Sequence, residues 1–211
     1  MIKLIHPGSE YFVQCIAKEP NIQDFLSRLK EHSKETYEHS YRVASLCADI
    51  GRDLDFSAYD RICAGYSGLL HDIGKLQILR DILEKSSLTK EELSSIRKHS
   101  RFGFLMIRKL GYHDVMNVIV AHHEYKIDPY PRNGDDRRND FRNAEERRDK
   151  SDRIVKLAQV LAAADIYDGL SYQRSYKPPF PRQMIEEFLK QEYVGDKKYA
   201  DLVLERHYSD E

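Results

Sequence analysis

The chain has 211 residues, 41% of them apolar and 33% charged, with a formal net charge of -1. That length suits one substantial domain with a small appendage, and the balanced charge leaves no electrostatic case for nucleic acid or an anionic membrane surface. No apolar run approaches the ~20 residues that cross a bilayer, and Pro7 and Gly8 interrupt the N-terminus before a signal-peptide core can form, so a cytoplasmic protein is expected.

Almost every periodic segment is helical. After Pro20 and Asn21, residues Ile22, Phe25, Leu26 and Leu29 follow the i, i+3, i+4, i+7 spacing of one helix face. A second helix is expected from about Ser33 to Gly51, with Tyr37, Tyr41, Ala44 and Ala48 on one face. A third starts near Ser57 and carries Ile62, Tyr66, Leu69 and Leu70. Thr89 and Glu92 form a capping box, and the helix they open is expected to run towards Leu110 and stop at Gly111. "HDVMNVIVAHHE" reads as a further helix. From Arg132 to Arg153 the chain holds eight basic and seven acidic residues, which suits a solvated loop or exposed helix better than a nucleic-acid contact. "RIVKLAQVLAAADIYDGL" is the most apolar helix, and two more are expected around Met184–Gln191 and Lys197–His207. No strand or hairpin signal appears, so the fold class is all-α. Cys15, Cys47 and Cys63 form no CxxC pair and read as reduced, buried thiols.

Nine histidines are present. His6, His32, His113 and His207 read as surface or satisfied side chains. His71 and Asp72 end an apolar helix, and so do His122 and His123. Burying two imidazoles at such a point is costly unless both are hydrogen-bonded or ligated. Asp165 lies within Val, Leu and Ala, where a carboxylate needs an arginine, a cap or a metal. Asp168, nearer the helix end, reads as solvated or structural. Glu35 and His39 share a helix face at i, i+4, as two ligands or as a surface pair. His99 alone carries no signal. Imidazole with carboxylate suits Fe, Mn or Zn better than Ca or Mg, and the lack of cysteine ligands argues against structural zinc.

Taken in order, "HSYRVASL", "LLHDIGKL", "KHSRFGFLMI", "VIVAHHE" and "AADIYDGLSYQRSYKP" resemble the HD superfamily of metal-dependent phosphohydrolases. More narrowly they resemble the HD-GYP subfamily, which hydrolyses cyclic di-GMP. The likeness runs from about Glu35 to Pro178. It implies two divalent transition metal ions, iron or manganese, with Asp72 bridging them. His39, His71 and Asp165 would complete one shell, and His99, His122 and His123 the other. Glu35 matches a position that holds a third metal in some members. Lys75 matches the lysine that faces the substrate phosphate, and Arg174 and Lys177 match basic residues that contact the nucleotide.

The subfamily signature HHExxxGxGYP departs here to "HHEYKIDPYPRNG". His122, His123, Glu124, Tyr130 and Pro131 are kept, but both glycines before Tyr130 are missing. Asp128 and Pro129 cannot adopt the backbone conformations open to glycine. The metal site is therefore better supported than cyclic di-GMP itself. Tyr130 remains a candidate substrate contact.

The expected organisation is an N-terminal helical extension over 1–30, an HD-type domain over 31–180 with a charged insertion at 132–153, and C-terminal helices over 181–211. About 30 residues are too few for the subfamily's usual sensory domain. The expected activity is hydrolysis of a nucleotide phosphodiester by a hydroxide held between two metals, ~3.5–4 Å apart, with Lys75 stabilising phosphoryl charge. The alternatives are a hydrolase of nucleoside monophosphates or other small phosphate esters, and a non-catalytic nucleotide-binding module. The expected partner is a small phosphate ester or cyclic dinucleotide. A homodimer is left open.

Overall fold

The computed structural model describes residues 7–127, 129, 151–172 and 179–205. Its first part is built by short caps. Helix α1 spans Pro7–Ile16, and α2 spans Pro20–His32, where the Glu19 carboxylate accepts from the Ile22 amide at 2.9 Å. Ser33 ends α2 and caps α3, Lys34–Asp53, by accepting from the Thr36 amide at 3.2 Å. Ser57 caps α4, Ala58–Leu70, in the same way. Each cap satisfies an amide that the first helical turn leaves over.

A 3-10 turn at Ile73–Gln77 and the short α5, Arg80–Leu83, lead to α6, Lys90–Arg97, which opens on the expected capping box. The helix does not continue to Leu110. It breaks at Lys98, and α7, His99–Arg108, begins anew. The cause is local. His99 Nδ1 donates to the Ile96 carbonyl at 2.7 Å, the acceptor that the residue 100 amide would use in an unbroken helix. Gly111, at φ 77°, turns the chain into α8, His113–Ala121. A second 3-10 turn covers His122–Tyr125, followed by α9, Asp152–Ser171, whose first turn takes in the last two residues of the expected insertion, then α10, Arg182–Glu192, and α11, Lys197–Glu205. Among the described residues the only strand-like pairing is an isolated bridge between Lys126 and Tyr193.

Helix α3 stands between two apolar clusters. Val43, Leu46, Cys47 and Ile50 pack with α9, while Ala44 and Ala48 join Phe25, Leu29, Leu69 and Phe104 on the other side. Helix α9 is buried nearly all round, with Ala162, Ala163 and Ala164 wholly enclosed. Small side chains there let α3 and α8 approach, and this places the inner ends of α3, α4, α8 and α9 together. Cys47 and Cys63 are buried as expected, but Cys15 is exposed, because it falls on the outer face of α1. No helix among the described residues is long and apolar enough to cross a membrane.

Candidate metal centre

Three of the five grouped histidines obey one local rule. His71 Nδ1 lies 2.8 Å from the Gly68 carbonyl, His99 Nδ1 2.7 Å from that of Ile96, and His122 Nδ1 2.5 Å from that of Ile119. In each case the imidazole takes the carbonyl three residues back, in the last turn of a helix where carbonyls run short of amide donors. A carbonyl only accepts, so Nδ1 carries the proton and Nε2 presents its lone pair. His39 reaches the same state differently: its Nδ1 lies 2.6 Å from Asp168 Oδ2.

Five Nε2 atoms converge, those of these four residues and of His123. His39 and His71 bring theirs within 3.2 Å, and His99 lies 3.5 Å from His122 and 3.2 Å from His123. Asp72 faces both sides. Its Oδ1 is 3.3 Å from His99 Nε2, and its Oδ2 is 3.4 Å from His71 Nε2 and 3.8 Å from His39 Nε2. Asp165 adds Oδ1 at 3.2 Å from His39 Nε2. Two buried groups result, His39–His71–Asp72 and His99–His122–His123, each with its donor atoms within 4.8 Å of one another. Lone pairs aimed at one another at such distances repel, and a cation between them removes the conflict. Nitrogen and carboxylate donors with no thiolate fit a divalent transition ion.

The Gly74 position explains how the two groups meet. A Cβ there would overlap the His99 carbonyl oxygen, so only glycine lets the turn after Asp72 lie against the start of α7. Gly68 plays the same part for α4, whose backbone touches that of Ala44 on α3.

The electrostatics follow from burial and neighbours. Burial holds the His99 imidazolium down at about 4, and pushes His122 and His123 well below the usual histidine range, with neighbouring imidazoles adding to it. These rings are neutral donors at ordinary pH. Burial also opposes charge on His39, but hydrogen bonds to Asp165 and Asp168 outweigh it and raise its pKa. Burial likewise disfavours the Asp72 and Asp165 carboxylates. The charges of Lys75 beside Asp72 and of Lys126 beside Asp165, with help from the neighbouring histidines, reverse this, and both carboxyls stay well below the usual carboxylate range. Lys75 Nζ donates to Asp72 Oδ2 at 2.7 Å, and Lys126 Nζ to Asp165 Oδ2 at 3.1 Å. A cleft of about 470 Å³ opens over this centre.

All seven expected ligand positions and Lys75 are thus brought together. Glu35 stands one turn before His39, half-buried and outside both donor groups. Tyr130, Arg174 and Lys177 lie outside the described residues. Asp168 is not solvated: it is 1% exposed and clamped by Arg42 at 2.7 and 3.0 Å, so the structural alternative holds. Two contributors were not singled out in the sequence. Lys126 follows the paired histidines by three residues, and Arg42 follows His39 by three, so their spacing from the ligands was the available signal.

The chain belongs to the HD domain family, whose pattern it matches over residues 36–167. It is 33% identical over 166 residues to a cyclic di-GMP phosphodiesterase of Pseudomonas aeruginosa, covering 77% of this chain and 36% of that protein. It is 31% identical to the 3'3'-cGAMP-specific phosphodiesterase 3 of Vibrio cholerae, covering 83% of this chain and 34% of that one. A cyclic di-GMP phosphodiesterase of Thermotoga maritima is 27% identical over 94% of this chain and 51% of its own length. The chain therefore spans about a third to a half of the curated relatives it matches.

Proposed function

We propose that the chain is a metal-dependent phosphodiesterase acting on a nucleotide phosphodiester such as a cyclic dinucleotide. The observation that carries this reading is the pair of buried donor groups with the Asp72 carboxylate facing both. His39, His71, Asp72 and Asp165 would hold one ion, and Asp72, His99, His122 and His123 the other, with iron or manganese expected. Glu35 is the candidate for a third ion. When bound, such a pair lowers the pKa of water and neutralises phosphoryl charge.

The chain's own residues supply the rest. Lys75 is half-buried at the cleft beside Asp72, where its ammonium can orient a phosphate oxygen and offset charge developing there. The burial of all five imidazoles leaves the cleft as the route to the donor atoms. Asp168 holds the His39 proton on Nδ1 and so fixes the face that His39 presents. Tyr130, Arg174 and Lys177 are the proposed nucleotide contacts. Residues 31–180 form the proposed catalytic unit. The hydrogen bonds of Ile127 N to Glu192 O and Val194 N to Tyr125 O support the packing of the C-terminal helices, 181–211, on it.

Replacing Asp72 tests the assignment. Asp72→Ala should lose turnover of cyclic di-GMP and 3'3'-cGAMP, followed by chromatography of the products, by at least about a thousandfold, together with most bound metal. Turnover retained in Asp72→Ala would contradict the assignment.

A further inference from the structure

The cleft over the metal centre has a wall that the ligand chemistry leaves unused. Helix α10 supplies it through Phe188 and Glu192. Their i, i+4 spacing puts a ring and a carboxylate on one helix face. Phe188 is 37% exposed, and Phe180 backs its ring with centroids 5.5 Å apart and planes 28° from parallel. Glu192 is half-buried, and among the described residues its carboxylate meets no cation and no hydrogen-bond donor. Lys126, which lines the same cleft, is engaged by Asp165. The position is also fixed. The Glu192 carbonyl accepts from the Ile127 amide at 2.9 Å, and the Tyr125 carbonyl from the Val194 amide at 3.1 Å. These two bonds tie the end of α10 to the segment that carries His122 and His123.

A partly exposed ring is a stacking platform for a nucleobase. A carboxylate beside it can only accept hydrogen bonds. The Watson–Crick edge of guanine offers two adjacent donors, N1–H and the N2 amino group, which a carboxylate can take together. The same edge of adenine sets an acceptor, N1, beside its amino group, and a carboxylate there meets a lone pair. Glu192 also repels phosphate, which leaves Lys75 as the attractive end of the cleft. We infer that Phe188 and Glu192 form a base subsite that selects guanine over adenine. This rests on the phosphodiesterase reading above and names the base that the substrate carries.

The test is equilibrium binding by calorimetry to the metal-loaded full chain. The probes are cyclic di-GMP and cyclic di-AMP as phosphorothioates, with sulfur in place of one non-bridging oxygen per phosphate to slow cleavage. The wild-type chain should prefer the guanine probe by at least about tenfold, and Glu192→Gln should lose most of that preference. Phe188→Ala should weaken both probes by about fivefold or more. Phe188→Leu, which keeps apolar volume but removes the ring face, serves if the alanine variant fails to fold. Equal affinity for the two bases, binding of neither, or an unchanged ratio in Glu192→Gln would overturn the inference. A wild-type chain that binds guanine selectively yet cleaves no phosphodiester would instead contradict the proposed activity and leave the subsite standing.

Discussion

Asp168 shows how much a single side chain outside the ligand set can decide. Its carboxylate lies between Arg42 and His39, and Arg42 in turn covers the Tyr172 ring at 4.0 Å. Burial disfavours its charge, but the His39 hydrogen bond and the Arg42 contacts outweigh this and lower its pKa. A carboxylate behind a ligating histidine sets the ring's tautomer and basicity, and losing one costs about 10- to 100-fold in metal affinity. Asp168→Asn should show a loss of that size in competition with a fluorescent chelator, with far-ultraviolet circular dichroism unchanged. Unchanged metal affinity would make Asp168 a packing residue only. The candidate ligands are legible because buried imidazole and carboxylate have few other satisfied states. Asp168 was half legible. Its nearness to a helix end suggested solvent, and its cover comes from Arg42, 126 residues away in the chain, which no local pattern reveals.

At the scale of elements, the caps at Ser33, Ser57 and Thr89 were readable because a cap is a contact within three residues. The break between α6 and α7 was not, because the apolar periodicity continues across Lys98 while the His99 side chain interrupts the backbone ladder. The docking of α1 was equally hidden. It depends on Ser9 donating to the wholly buried Asp49 at 2.6 Å, across 40 residues. The turn after Asp72 makes the strongest prediction at this scale. Gly74→Ala forces a methyl group into the His99 backbone, so the two donor groups must separate. Overpacking of this kind costs about 1–3 kcal/mol or more, which corresponds to roughly 2–4 °C in Tm per kcal/mol for a chain of this size. Calorimetric melting should show that fall, and elemental analysis should show reduced metal. A variant as stable and as metal-rich as wild type would mean the close approach is not needed.

Across the whole molecule, the first turn of α9 is anchored at the ends of α4 and α8 remote from His71 and His122. Arg153 pairs with Asp60 on α4 and, at 2.7 Å, with Asp114 on α8, and its guanidinium lies 4.6 Å from the Tyr59 ring centre. Burial works against the Asp114 charge, but the Arg153 and Tyr59 hydrogen bonds prevail and lower its pKa. A carboxylate depressed in the fold stabilises fully above its unfolded value, ~3.9, and that stabilisation is lost as pH falls through the folded value. Arg153→Met should therefore lower Tm at pH 7 and narrow the difference from wild type as pH drops below about 4. A difference that is the same at pH 3 and pH 7 would show that the anchor works by packing alone.

The central claim is that the two donor groups hold two metal ions. It is tested most directly by elemental mass spectrometry of the chain purified anaerobically without a chelating tag. The account predicts two transition metal ions per chain, as made or after reconstitution with iron or manganese. A chain that takes up none under either condition would contradict it.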